Sequence, residues 1–353
     1  MHEIQGQLKT ESVILPNDFI EEIHNQSFYG RLVKQGIRLT LSEAAYLLHK
    51  QKIEIVSGTK KLDFVDFFKL ASSNDENFEV KYIVYEDLRE RGYYVQPSVM
   101  DFRVYPRGGH PGKTPSRYLL HILSERKITP VRELIECVET ANNLKKRIVL
   151  AIVDEESDIT FYELKKSGLS EVTTTSLPQL EEEATFLGDR TIIWDSETSK
   201  ELHQQGFYGK FLDGTHLQLS LVETAYLLKE HVIRLQRANN EPITYSEFIT
   251  LASTIESNFS LKYRTYEDLR QRNLIPKTGF KFGAHFRVYV NYNKEDETTH
   301  AEYLVHSIPE SHQFSLSDFS RASRLAHSVR KHIIYAVISG DSITYLEIMR
   351  IKL

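Results

Sequence analysis

The chain states one pattern twice. Phe28-Tyr29-Gly30 returns as Phe207-Tyr208-Gly209, and Ala45-Tyr46-Leu47-Leu48 as Ala225-Tyr226-Leu227-Leu228. Tyr85-Glu86-Asp87-Leu88-Arg89 returns as Tyr266-Glu267-Asp268-Leu269-Arg270, and Phe102-Arg103-Val104-Tyr105 as Phe286-Arg287-Val288-Tyr289. The offset grows only from 179 to 185, which makes the chain two tandem copies of one fold with small insertions. The copies part at one place that bears on chemistry. The second reads His300-Ala301-Glu302-Tyr303-Leu304-Val305-His306 where the first reads Pro115-Ser116-Arg117-Tyr118-Leu119-Leu120-His121.

Within each copy the periodicity alternates between strand and helix signals, so the fold class is mixed α/β (α+β). An alternating strand at Leu217–Leu221 precedes a helix through Thr224–Leu228, and a second helix covers Tyr245–Ala252. Ser317-Asp318 can cap a helix through Ala322–Val329. The expected division is 1–80 and 81–165 for the two parts of copy one, and 189–261 and 262–353 for those of copy two. A Ser-, Thr- and Glu-rich linker is expected over 166–188, where hydrophobic periodicity fades.

Composition narrows the function classes. No apolar run approaches the ~18 residues needed to span a bilayer, and the N-terminus lacks a secretory pattern. A cytoplasmic setting fits. The single cysteine, Cys137, excludes an internal disulfide and a cysteine-based zinc cluster, and reads as a small core residue. Net charge is −5, but it is uneven: residues up to 185 hold 24 Lys+Arg against 29 Asp+Glu, and the remainder holds 20 of each. Copy two also carries a cationic run, Arg321, Arg324, Arg330 and Lys331, with His327 and His332 among it. Local potential of this kind matters more to a polyanion than the total does.

The second copy resembles the archaeal tRNA-splicing endonuclease family. The resemblance rests on Phe282–Tyr289, His300–Val305 and Arg324–Lys331, and extends in degraded form over copy one. It implies a Tyr, His and Lys active site on Tyr289, His300 and Lys331, acting as base, acid and transition-state stabiliser. RNA can be cut by its own 2′-hydroxyl, which needs those three functions and no metal or cofactor. A tyrosine hydroxyl, with an ordinary pKa near ~10, needs a neighbouring cation to become a base. Alone, Tyr289 would read as a strand aromatic, His300 as a loop histidine and Lys331 as a helix C-terminal cation. Copy one keeps Tyr105 and Lys146 but holds Pro115, which cannot carry a proton. His110, in a Gly- and Pro-rich insert, is too loosely placed to replace it. Copy one therefore reads as structural.

The resemblance implies further parts. Family members dock an acidic loop into a basic pocket of a partner subunit, which falls here on Asp154, Glu155, Glu156 and Asp158; the matching turn of copy two is the less acidic Ser339–Ser342. They also pinch a bulged base between arginines, for which Arg324 is the better candidate and Arg350 the weaker. Asp154 followed by Glu163-Leu164-Lys165 superficially matches metal-dependent nucleases, but copy two reads Glu347-Ile348-Met349 and lacks the lysine.

The expectation is a homodimeric endonuclease with two active sites. It would cleave precursor tRNA at bulge-helix-bulge junctions and leave 2′,3′-cyclic phosphate and 5′-hydroxyl ends. The alternative is a non-catalytic RNA-binding scaffold subunit, against which the intact Tyr289, His300 and Lys331 speak.

Overall fold

A computed structural model describes residues 4–169, 181–290 and 300–353. The Thr173–Ser176 part of the expected linker and the charged Lys294–Glu297 run lie outside the described residues.

The chain divides into two compact units. One comprises Met1–Lys165, Gln313–Arg321 and Ile348–Leu353, and the other Lys166–His312 and Ala322–Glu347. The units thus do not coincide with the sequence copies. Gln313–Ser315 of copy two pairs antiparallel with Ile128–Pro130, and Phe319 packs edge-on against Tyr162 at 5.2 Å, all within the first unit. Ridge-and-edge pairing of this kind, between segments far apart in sequence, has no local sequence signal.

Each unit opens with a six-stranded sheet of the same strand order. In the first it runs Arg31–Val33, Gly36–Thr40, Ser12–Leu15, Gln5–Lys9, Glu54–Ser57, Lys60–Leu62. In the second it runs Lys210–Phe211, Leu217–Leu219, Thr191–Ile193, Glu182–Phe186, Ile233–Arg237, Pro242–Ile243. Glu182–Phe186 lies inside the expected 166–188 linker. Ala184 and Phe186 alternate inward there and are buried, so a strand forms despite the acidic neighbours that mask the pattern.

The Leu217–Leu221 strand ends two residues early, at Leu219. Ser220 instead caps the helix Leu221–Lys229, its hydroxyl accepting from the Glu223 amide while Glu223 answers at the Ser220 amide. The helix expected from Ala322 starts at Leu316 and ends at Ser328, so Ser317 and Asp318 lie in its first turn. The boundaries expected at 81 and 262 fall inside helices, Phe78–Glu90 and Phe259–Gln271. Each helix buries residues in a core that continues into both parts of its copy. Cys137 is buried on the helix Val131–Asn143, and burial pushes its thiol up to about 11.

The repeated motifs meet one another. Phe28 and Phe207 adopt left-handed backbone, φ 58° and 51°, and turn the chain so that Tyr29 and Tyr208 are buried. Arg89 then lies 4.3 Å from the Tyr29 ring, and Arg270 lies 4.0 Å from the Tyr208 ring. The Phe-Tyr-Gly and Tyr-Glu-Asp-Leu-Arg repeats are therefore two sides of one clamp between the parts of each copy.

Candidate functional site

The second part of each copy is a mixed sheet. In the second unit Ile275–Thr278, Phe286–Tyr289, Tyr303–Pro309 and His332–Ser339 are successive neighbours. The Phe286–Tyr289 strand runs antiparallel to Tyr303–Pro309, which runs parallel to His332–Ser339. The register places Val288 opposite Tyr303 and Tyr303 opposite His332. Tyr289 at the end of one strand, His300 just before the next and Lys331 just before the third consequently gather at one end of the sheet.

Backbone hydrogen bonds fasten this end. The Glu302 amide donates to the Val288 carbonyl at 3.0 Å, and the His332 amide to the Glu302 carbonyl at 3.1 Å. Arg330 takes left-handed backbone, φ 55°, to turn the chain from helix to strand. Lys331 then donates from Nζ to the Ala301 carbonyl at 2.5 Å, and its ammonium stands 5.7 Å from the Phe282 ring. Burial, and then the nearby Arg287 guanidinium, push the Lys331 pKa below that of an ordinary lysine. Tyr289 is buried, its ring edge-on to Phe207 at 5.7 Å and 5.7 Å from the Arg287 guanidinium. His300 is exposed.

Copy one repeats the frame without the histidine. The Arg117 amide donates to Val104 at 2.9 Å, and Lys145 has φ 54°. Lys146 donates to the Ser116 carbonyl at 2.6 Å. Tyr105 is occupied, its hydroxyl donating to Gln96 at 2.9 Å. His110 stacks on Phe28 at 4.8 Å, with its Nδ1 2.8 Å from the Pro111 carbonyl.

The remaining candidates sit on other elements. Arg324 is exposed on the Leu316–Ser328 helix in the second unit, whereas Arg350 is exposed on the closing strand and belongs to the first. Asp154–Asp158 form the turn between Arg147–Val153 and Ile159–Lys166. The Asp154 carboxylate accepts from the Glu156 and Asp158 amides at 3.0 and 2.8 Å, and Glu155 pairs with Arg126 at 2.5 Å. Glu163 of the nuclease-like arrangement is buried and gripped by Arg147, as Glu347 is by His332 at 2.9 Å.

A cleft of about 1030 Å³ opens in the second unit, lined by Lys277, Glu223, Arg287, His285, Phe280 and Phe207 among others. Lys277 is mostly buried and donates to Glu223 at 2.8 Å and to the Phe207 and Gly209 carbonyls at 3.0 and 2.7 Å. Burial would push Glu223 up, but Lys277 outweighs it and holds the carboxyl at about 2. Its counterpart Glu43 has the same capping bonds and no lysine, and burial pushes it upward. Sequence reasoning passed over Lys277 and Arg287. Arg287 is matched by Arg103, so the repeat comparison does not single it out; the signal lay across the strand, where Lys277 replaces Gln96.

The duplicated mixed sheet makes the chain a tandem-repeat α/β protein, with Tyr289, His300 and Lys331 as candidates at one sheet end of the second copy. The tRNA intron endonuclease catalytic C-terminal domain matches residues 78–161 and 259–345, and the N-terminal domain of that family matches 4–68 and 183–249. The chain belongs to the tRNA intron endonuclease family. It is 48% identical over 351 residues to a tRNA-splicing endonuclease of Methanococcoides burtonii, covering 99% of this chain and 100% of that one. It is 46% identical over 353 residues to that of Methanosarcina mazei, covering 100% of both chains. It is 33% identical over 365 residues to that of Halobacterium salinarum, covering 99% of each.

Proposed function

We propose that this endonuclease cleaves precursor tRNA at exon–intron junctions folded as bulge-helix-bulge elements, without a metal. The 2′-oxygen attacks the adjacent phosphorus, a new 2′-O–P bond forms and the P–O5′ bond breaks. Tyr289 takes the proton of the 2′-hydroxyl, His300 gives one to the departing 5′-oxygen, and Lys331 offsets the charge gathering on the phosphorane. The products are a 2′,3′-cyclic phosphate and a 5′-hydroxyl. The observation that carries this reading is the convergence of Tyr289, the 300–301 segment and Lys331 at one end of three neighbouring strands, tied by the Lys331–Ala301 bond.

The proposal extends to assembly and setting. Two chains form a homodimer with two active sites, Asp154–Asp158 docking on the partner and Arg324 and Arg350 holding a bulged base. Guanidinium stacking tolerates any base, which suits recognition by shape. Among the described residues no helix is long and apolar enough to cross a membrane, and the action proposed is cytoplasmic.

Incubation with a precursor tRNA in excess EDTA tests the mechanism. Cyclic-phosphate ends are expected from the parent and not from His300→Ala, with a loss of roughly 10²- to 10⁴-fold. Cleavage that requires Mg²⁺ overturns the mechanism. Binding with no cleavage under either condition points to a scaffold subunit instead.

A further inference from the structure

We propose that Arg287 is a phosphate-binding residue of the cleavage site, released for that task by Lys277. The proposal rests on the reading of Tyr289 and Lys331 given above.

The two copies solve the same local problem differently. In copy one Gln96 stands opposite Arg103 on neighbouring strands, and in copy two Lys277 stands opposite Arg287. The Gln96 amide oxygen accepts from Arg103 Nε at 3.2 Å, from its terminal nitrogen at 2.9 Å and from the Tyr105 hydroxyl at 2.9 Å. One side chain thus occupies both the arginine and the tyrosine. An ammonium cannot accept a hydrogen bond. Lys277 turns away to Glu223 and two carbonyls. Among the described residues, neither the Arg287 guanidinium nor the Tyr289 hydroxyl then has a hydrogen-bond partner, and Arg287 Nε is enclosed as well as unpaired.

This arrangement opposes folding. Like charges directly across neighbouring strands repel, and an enclosed donor without a partner is costly. Both features occur in the copy that carries His300 and are absent from the copy that carries Pro115. The freed guanidinium lies 5.7 Å from the Tyr289 ring, lines the cleft and is near enough to Lys331 to depress its pKa. A planar fork beside an ammonium matches the non-bridging oxygens of one phosphodiester, which can take two parallel hydrogen bonds from arginine. A bound phosphate would also relieve the mutual repulsion of Arg287, Lys331 and Lys277.

The test uses the full-length protein and a precursor tRNA carrying 2′-deoxyribose at the cleaved positions, which binds without reacting, beside the normal RNA. Arg287→Gln is expected to flatten the dependence of log Kd on log salt by about 0.7 to 1. It is also expected to slow single-turnover cleavage roughly 10²-fold. Arg287→Lys should restore the salt slope and only part of the rate. Lys277→Gln rebuilds the arrangement of copy one, in which Gln96 accepts from Arg103 and Tyr105, and should reproduce both losses. Gln96→Lys should change neither. Parental slope and rate in Arg287→Gln overturn the proposal. So does slower cleavage with an unchanged slope and a lowered melting temperature, which marks a packing role. If His300→Ala cleaves normally, the proposed chemistry fails while the salt slope still reports on Arg287.

Discussion

Lys331 donates a 2.5 Å hydrogen bond to the carbonyl of Ala301, the residue after His300, and Lys146 makes the matching 2.6 Å bond to Ser116 in the copy without that histidine. The lysine therefore has a structural task that both copies keep, pinning the start of one strand to the turn that begins the next. Its presence in copy one needs no catalysis to explain it. Lys146→Met and Lys331→Met should each destabilise the protein by about 1–2 kcal/mol through the unsatisfied carbonyl. Only Lys331→Met should also slow cleavage, by roughly 10²- to 10³-fold. Thermal unfolding and single-turnover rates separate the two effects.

The two copies should respond to acid in opposite directions. His306 is held down to about 4 by burial and by His312, and His285 to about 4 by burial, His306 and Lys262. These rings fold neutral, so the unfolded chain binds more protons below the ordinary value of 6.5 and stability falls as pH drops from there towards about 4. His121, the counterpart of His306, is partly buried too, but Asp101 at 3.1 Å and Glu133 at 3.1 Å overcome that burial and raise its pKa. Its stabilising effect is complete below the ordinary histidine value and fades as pH rises through the raised one. Amide exchange at pH 5 against pH 7 should show weaker protection in 303–309 and protection kept or strengthened in 118–124. Equal loss in both strands would refute this.

The proposed docking of the acidic turn has a direct measure. Changing Asp154, Glu155, Glu156 and Asp158 together to their amides keeps the turn's size and an acceptor at Asp154. Sedimentation should then show a dimer weakened at least about tenfold, a loss of the order expected when charge pairs are removed. Added salt should weaken the parent dimer in the same direction. A dimer insensitive to both removes the docking role.

Gly209 should tolerate no side chain. Its φ is +61°, and a Cβ would stand 2.6 Å from the Gln218 carbonyl oxygen. Gly209→Ala is expected to cost at least about 2 kcal/mol, combining left-handed strain with that clash. Gly214, at φ +90° with nothing within 4 Å, should lose about 1 kcal/mol on the same change. Chemical denaturation of both variants measures the difference.

Part of the candidate site was legible before any coordinates, because duplication supplies an internal control. His300 stands out when Pro115 is set beside it, whereas Tyr289 and Lys331 are matched by Tyr105 and Lys146 and are marked only by the family resemblance. The helix expected over Tyr245–Ala252 forms as Tyr245–Ile255. The strand at Glu182–Phe186 was not, since three successive acidic residues hide an inward alternation that only a neighbouring strand completes. The true start of the Leu316–Ser328 helix was missed because Ser317-Asp318 resembles a cap when it is in fact the first turn.

By itself the sequence determined that the chain is two copies of one fold, that only the second copy carries a histidine at the position of His300, and that a single cysteine permits no internal disulfide. These are properties of residue identity and spacing. The tertiary structure decided which side chains are engaged and which are free. Gln96 and Lys277 occupy matching positions, yet one satisfies an arginine and a tyrosine while the other turns to Glu223. The structure also decided that Gln313–Arg321 and Ile348–Leu353 join the first unit. Hydrogen bonds between neighbouring strands and the packing of buried faces depend on distance in space, which residue spacing along a chain does not encode.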